Sequence, residues 1–302
     1  MINEQVATGC CRSVHEDYFP VPGARLYFRE VGNGTPIVIL HGGPDFNHSY
    51  LLPDMDRLSS AFRLIYYDQR GRGKSSRGVV PKDVSIESEV DDLDRLRQYF
   101  GLNALSILGH SWGGVLAMEY ATRHSDHVSH LILMNTAPAC HADLMRFREQ
   151  RQAAEAESLA KMRAIAGTLA YAEGSIERDA EYYRAHFSAT LRRREHLERV
   201  VLSLRSHFAA QDILKARAIE DRLYAQTWLS PEYDLLAKLR QLKAPTLVIH
   251  GEHDLVPLDC ARNVAEAVPG ARLVVLSECG HFAYLERPVE VQSAIVEHLS
   301  RC

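Results

Sequence analysis

Several protein classes are excluded by what this sequence has little of. Its six cysteines, Cys10, Cys11, Cys140, Cys260, Cys279 and Cys302, are scattered with no Cys-x-x-Cys pair, so neither a zinc site nor a disulfide framework is expected. Cys10 and Cys11 are adjacent, an awkward geometry for a mutual disulfide, and reduced thiols in a cytoplasm are the plain reading. No run of about 18 apolar residues occurs, so a membrane-spanning helix is not expected. Met1 to Glu16 carries its apolar residues scattered among polar ones, without the apolar block of an export signal. A strong charge imbalance is missing too. The 35 Lys and Arg against 39 Asp and Glu leave a formal net charge of −4, with no basic stripe to neutralise nucleic-acid phosphates. Arg192, Arg193 and Arg194 form the single compact basic run, expected to be a solvated helix face. No internal repeat or low-complexity tract is evident.

What is present is ordinary for a globular chain: 302 residues, 46% hydrophobic and 25% charged, enough for one α/β domain with an insertion or for two domains. Ala24 to Val31 alternates like a strand and is followed by a Gly32-Asn33-Gly34 turn. Short continuous apolar runs at 36–40, 62–67, 105–108, 131–134, 245–249 and 272–276 predict strands buried on both faces of a parallel sheet. Helical spacing separates most of them, at 85–99, 112–123, 258–268 and 289–299. The alternation predicts an α/β fold with a doubly wound, mostly parallel sheet. From about Thr136 to Leu229 only charged, amphipathic helical sequence appears, too long for a crossover. A helical cap over 136–229, inserted in a core of 1–135 and 230–302, is therefore expected.

Gly109-His110-Ser111-Trp112-Gly113 matches G-x-S-x-G between a predicted strand and a predicted helix, the setting of a nucleophile elbow. A serine hydroxyl is a weak nucleophile unless an imidazole takes its proton, and the imidazole needs a carboxylate to orient it. In this arrangement the chain order is Ser, then acid, then His. Asp254 follows the strand at 245–249 and His281 follows that at 272–276, both at carboxyl ends where active sites form. Glu252, Asp259 and Glu278 are rival acids. The residue ending the strand at 131–134 is Asn135, so an acid there is not expected. Of the 15 histidines, His110 and His253 are read as packing or hydrogen-bonding neighbours. The oxyanion needs two donors: the backbone N–H of Trp112, and one from the loop His41-Gly42-Gly43-Pro44, where Gly43 is the choice.

Together these residues resemble the proline iminopeptidase family of α/β hydrolases, serine peptidases that remove an amino-terminal residue. The likeness lies in HGGP at 41–44, DQRGRGKS at 68–75 and GHSWGG at 109–114, completed by GEHD and GHF, and spans 24–135 and 240–299. It implies an α/β-hydrolase fold with a helical cap and no metal or organic cofactor. It implies as well a small-molecule or short-peptide substrate whose free amino group meets carboxylates contributed largely by the cap. Glu181, Glu195, Glu198, Glu220 and Asp221 each read first as surface helix charges; Glu220 and Asp221, near the return to the core, are the candidates. The chain departs from the family at Asp45, where HGGPG is usual, and at His110, where the elbow often reads GGSWG. A carboxylesterase or lactonase is the runner-up. A ligand receptor on a hydrolase fold, or an acyltransferase or lyase, comes further behind. Ser111 argues against the epoxide-opening and halide-displacing relatives, which use an Asp nucleophile.

Overall fold

The apolar runs become six adjacent strands of one eight-stranded sheet in the computed structural model, which describes residues 13–300. The run at 272–276, expected to be buried on both faces, is instead an edge strand and only partly buried. Cys10, Cys11 and Cys302 lie outside the described residues, as does the chain before Ser13. The strands are β1 (Val14–Val21), β2 (Ala24–Val31), β3 (Thr35–Leu40), β4 (Phe62–Tyr67), β5 (Leu105–His110), β6 (Val128–Met134), β7 (Thr246–Gly251) and β8 (Arg272–Leu276). They stand in the order β1-β2-β4-β3-β5-β6-β7-β8. β1 with β2 and β2 with β4 pair antiparallel, and all other neighbours are parallel. β5 and β7 are buried along their whole length, which is why they read as unbroken apolar runs. β1 is an addition to the expected strands. Its first five residues are exposed and only Phe19 and Val21 are buried, so it is held largely by backbone pairing to β2 at the sheet edge and carries little apolar patterning.

Helices cover both faces. α1 (Ile86–Tyr99) starts at Ser85, whose hydroxyl accepts the Ser88 N–H in a capping box. α2 (Trp112–Arg123) is buried nearly throughout and packs Trp112, Val115 and Leu116 on the face formed by Val38, Ile107 and Leu133. Between β6 and β7 the described chain is helical, with no strand. It runs through α3 (His141–Ala154), α4 (Ala156–Ala166), α5 (Leu169–Ala172), α6 (Ile176–Phe187), α7 (Leu197–Leu204), α8 (Ala210–Gln226) and α9 (Leu236–Leu239). A single bridge from Cys140 to Asp234 ties the two ends of this segment together. α10 (Leu258–Ala267), α11 (Ala283–Glu286) and α12 (Pro288–Leu299) complete the layers. Arg192, Arg193 and Arg194 are exposed as expected, but they occupy a bend and the start of a 3-10 turn, not a helix face. No helix among the described residues is long and apolar enough to cross a membrane.

Candidate active site

Ser111 joins β5 to α2 with φ 55° and ψ −120°, a conformation that residues with a side chain avoid. The turn is so tight that a Cβ on Gly109 would stand 2.3 Å from the Gly113 carbonyl oxygen. One on Gly113 would stand 2.3 Å from that of Leu40. The two glycines of the motif are thus demanded by close approach of backbone. The strain is held in place by neighbours: Ser111 N–H donates to Met134 C=O at 3.1 Å, and its own carbonyl accepts from Gly114 and Ala137.

Three residues from three loops converge. His281 Nδ1 donates to Asp254 Oδ1 at 2.7 Å, which leaves the Nε2 lone pair to accept the Ser111 hydroxyl at 3.1 Å. Asp254 is fully enclosed and also accepts the Val256 N–H at 3.0 Å. Burial would raise its pKa. The charges of His281 and His250, with hydrogen bonds from His281 and Asn135, more than offset this and hold the carboxyl down at about 2. The rival acids lie elsewhere. Glu252 is exposed, Asp259 pairs with Arg262 at 2.9 Å, and Glu278 pairs with Arg192 at 2.8 Å on the surface. Asn135 has a part that sequence reasoning missed. At φ 47°, its amide donates to Asp254 Oδ2 at 2.7 Å and to Gly280 C=O at 3.1 Å, bracing acid and histidine loop together.

A second buried chain of hydrogen bonds joins the glycine loop to the elbow. His110 Nε2 bonds the His281 carbonyl at 2.9 Å; a carbonyl can only accept, so Nε2 carries the hydrogen. Burial, and then the charge of His281, keep His110 neutral with a pKa of about 3. Its Nδ1 therefore accepts the Tyr50 hydroxyl at 2.7 Å, and Tyr50 in turn accepts the Gly42 N–H at 2.7 Å. Gly42 N–H is engaged by Tyr50, while Gly43 lines the same cavity as Ser111. Trp112, as first residue of α2, has an N–H with no partner inside the helix. His110 is a hydrogen-bonding neighbour, as expected. His253 is half-exposed and stands 3.4 Å from Glu278.

Above Ser111 lies a cavity of about 560 Å³. Tyr183 and Phe187 of α6 line it, as do Tyr224 of α8 and Trp228 just beyond it, but so do Asp45, Glu220 and Asp221. Glu220 is half-buried; burial first, and the charge of Asp45 second, push its carboxyl up to about 8. Asp221 is exposed at the rim. Asp45 is buried: Oδ2 accepts the Tyr183 hydroxyl at 2.6 Å and pairs with Arg205, whereas Oδ1 has no partner. Arg205 is itself shared with Asp179 at 2.6 Å. Far from this cavity, Asp94, His124 and His127 approach metal-ligand spacing. However, Asp94 Oδ1 already accepts from Arg97 at 2.7 Å and from Tyr120 at 2.9 Å, so the group is an ion-pair cluster.

Residues 35–288 match the α/β hydrolase fold family. The proline iminopeptidase PfmaB of Pestalotiopsis fici is 29% identical over 295 residues, covering 94% of this chain and 99% of that protein. The crystal structure of VinJ superposes with a TM-score of 0.75 at 22% identity, covering 94% of this chain and 98% of its own. An esterase from Exiguobacterium antarcticum gives a TM-score of 0.69 at 24% identity, covering 92% and 97%. The matched span, the strand order and the strained serine turn make this chain a member of the α/β hydrolase fold family.

Proposed function

We propose that the protein is a serine hydrolase that cleaves an amide or ester bond through an acyl-enzyme on Ser111, acting as an aminopeptidase of the proline-releasing type. The chemistry is carried by one observation, the Ser111–His281–Asp254 relay with its 3.1 and 2.7 Å contacts. His281 Nε2 takes the hydroxyl proton as Oγ bonds to the substrate carbonyl carbon, and the carbonyl electron pair moves onto oxygen. The N–H groups of Gly43 and Trp112 stabilise that oxyanion. On its collapse the C–N bond breaks, and His281 returns the proton to the leaving amine. Water, deprotonated by His281, then releases the acid and restores Ser111.

The aminopeptidase specificity is supported by the relatives named as proline iminopeptidases and by carboxylates in the cavity wall, which suit a substrate ammonium. A carboxylesterase or lactonase is the second reading, favoured by the aromatic part of the same wall. A cytoplasmic setting fits the free, buried thiols of Cys140, Cys260 and Cys279. The test compares hydrolysis of proline β-naphthylamide with that of p-nitrophenyl esters of rising chain length. Aminopeptidase specificity predicts the higher kcat/KM on the prolyl amide; a reversed order transfers the assignment to an esterase. An acylation burst with an activated ester separates either enzyme from a receptor, which would show none.

A further inference from the structure

Glu220 and Asp221 are the acids that the sequence offers to a substrate amine, yet a different carboxylate lies at the foot of the cavity. Resting on the aminopeptidase reading, we propose that Asp45 holds the substrate's α-ammonium through its free oxygen Oδ1. The anchor then belongs to the glycine loop that also carries Gly43, and not to the helical wall.

Asp45 is 1% exposed and shares the cavity with Ser111 and Gly43. Its Oδ2 is held by Tyr183 and Arg205, and Arg205 also grips the Asp45 carbonyl oxygen. Arg205 is fixed in turn by Asp179 and by the rings of Phe46, Tyr183 and Phe208, so the carboxylate cannot swing away. Oδ1 is left as a buried acceptor without a partner, an arrangement that is costly unless a donor arrives.

Position supplies the second argument. A Cβ built on Gly43 would lie 3.2 Å from Oδ1, so the free oxygen stands beside the loop that is to receive the oxyanion. In an aminoacyl substrate the ammonium nitrogen is two bonds from the scissile carbonyl carbon, and its counter-ion has to be near that loop. A bare carboxylate oxygen there would oppose the developing oxyanion, whereas an ammonium between the two attracts both. Glu220 fits the part less well. Its carboxyl already engages the Tyr224 hydroxyl in a hydrogen bond, and burial beside Asp45 favours its neutral form. Position 45 is also where the chain departs from the HGGPG of the family it resembles.

Asp45→Asn removes the charge but keeps an oxygen for Tyr183 and leaves Arg205 its pair with Asp179. Activity is measured on proline β-naphthylamide and p-nitrophenyl acetate, with thermal melts to verify folding. The wild-type enzyme is also assayed on N-acetyl-proline β-naphthylamide. Asp45→Asn should lower kcat/KM on the prolyl amide by on the order of 10²-fold, as loss of a buried charge partner does, and lower it far less on the acetate. Glu220→Gln should cost the amide less than about tenfold. Equal losses of Asp45→Asn on both substrates would show a structural role and overturn the proposal. So would a severe Glu220→Gln beside a mild Asp45→Asn. Should Asp45→Asn fail to fold, Asp45→Glu keeps the ion pair with Arg205 while displacing the free oxygen; unchanged amide hydrolysis then overturns the proposal. The aminopeptidase reading itself is lost only if the wild type cleaves the N-acetylated amide as fast as the free amine.

Discussion

The loops at the carboxyl ends of β5, β6, β7 and β8 and the helical wall above them treat polar groups in opposite ways. In the loops the acid and the histidine beside the nucleophile are fully partnered, although Asn135 keeps a buried Oδ1 with no partner. Asp254 receives hydrogen bonds from His281, Asn135 and Val256, and His110 is bonded on both ring nitrogens. Where the glycine loop meets the helical wall, Asp45 keeps a buried oxygen without a partner, and Glu220 is driven toward its neutral form. A satisfied network holds one geometry, which suits a reaction whose steps are the same for every substrate. Unsatisfied groups around a cavity await a ligand of a particular charge. Changes in the loops should therefore depress all substrates alike, and changes at the wall should sort one substrate from another.

The sharpest way to break that contrast is Ser111→Ala. Loss of the nucleophile should lower kcat by on the order of 10⁴- to 10⁶-fold on prolyl amide and simple ester alike, with an unchanged melt. More than a few per cent of residual activity on either substrate would remove Ser111 from the chemistry. Asp254→Asn comes next, with a fall of about 10⁴-fold in kcat and little change in KM, because the carboxylate acts on the imidazole and not on the substrate. If Glu252→Gln or Asp259→Asn were the severe variant, the acid would be wrongly assigned.

Tyr50→Phe is a smaller break. It removes the hydroxyl linking Gly42 to His110, and loss of these two buried hydrogen bonds should cost on the order of tenfold in kcat on both substrates. A drop confined to KM of the prolyl amide would instead place Tyr50 with the wall. The least effect is expected from Glu220→Gln on stability, and its sign is set by pH. A carboxyl raised from 4.5 to about 8 keeps a proton in the folded state that the unfolded chain has lost. Stability therefore falls as pH rises between those values, and the penalty is complete above about pH 8. Glutamine should raise Tm by a few degrees at pH 9 and by less at pH 5. The same gain at both pH values would contradict a perturbed Glu220.

The relay was readable because each of its members sits in a pattern of local origin. Ser111 is enclosed by glycines that backbone crowding demands, and Asp254 and His281 each follow an apolar strand. Asn135 occupies an equivalent strand end, yet an amide has no role of its own in proton transfer, and its bond to Asp254 spans residues far apart in the chain. β1 escaped notice because an edge strand exposes most of its side chains. Asp45 was visible as a departure from HGGPG, but Tyr183 and Arg205, which give it meaning, lie in α6 and just beyond α7.

By itself the sequence determined the sheet, the elbow and the order of the three relay residues. Hydrophobic period, glycine placement and strand–loop alternation are local, and each is written within a few neighbouring residues. Only the tertiary structure decided which acids face the cavity, which oxygen is left free and which way the His110 tautomer points. Those properties arise from contacts between segments more than a hundred residues apart, and burial, which sets their charge, exists only once the chain has folded.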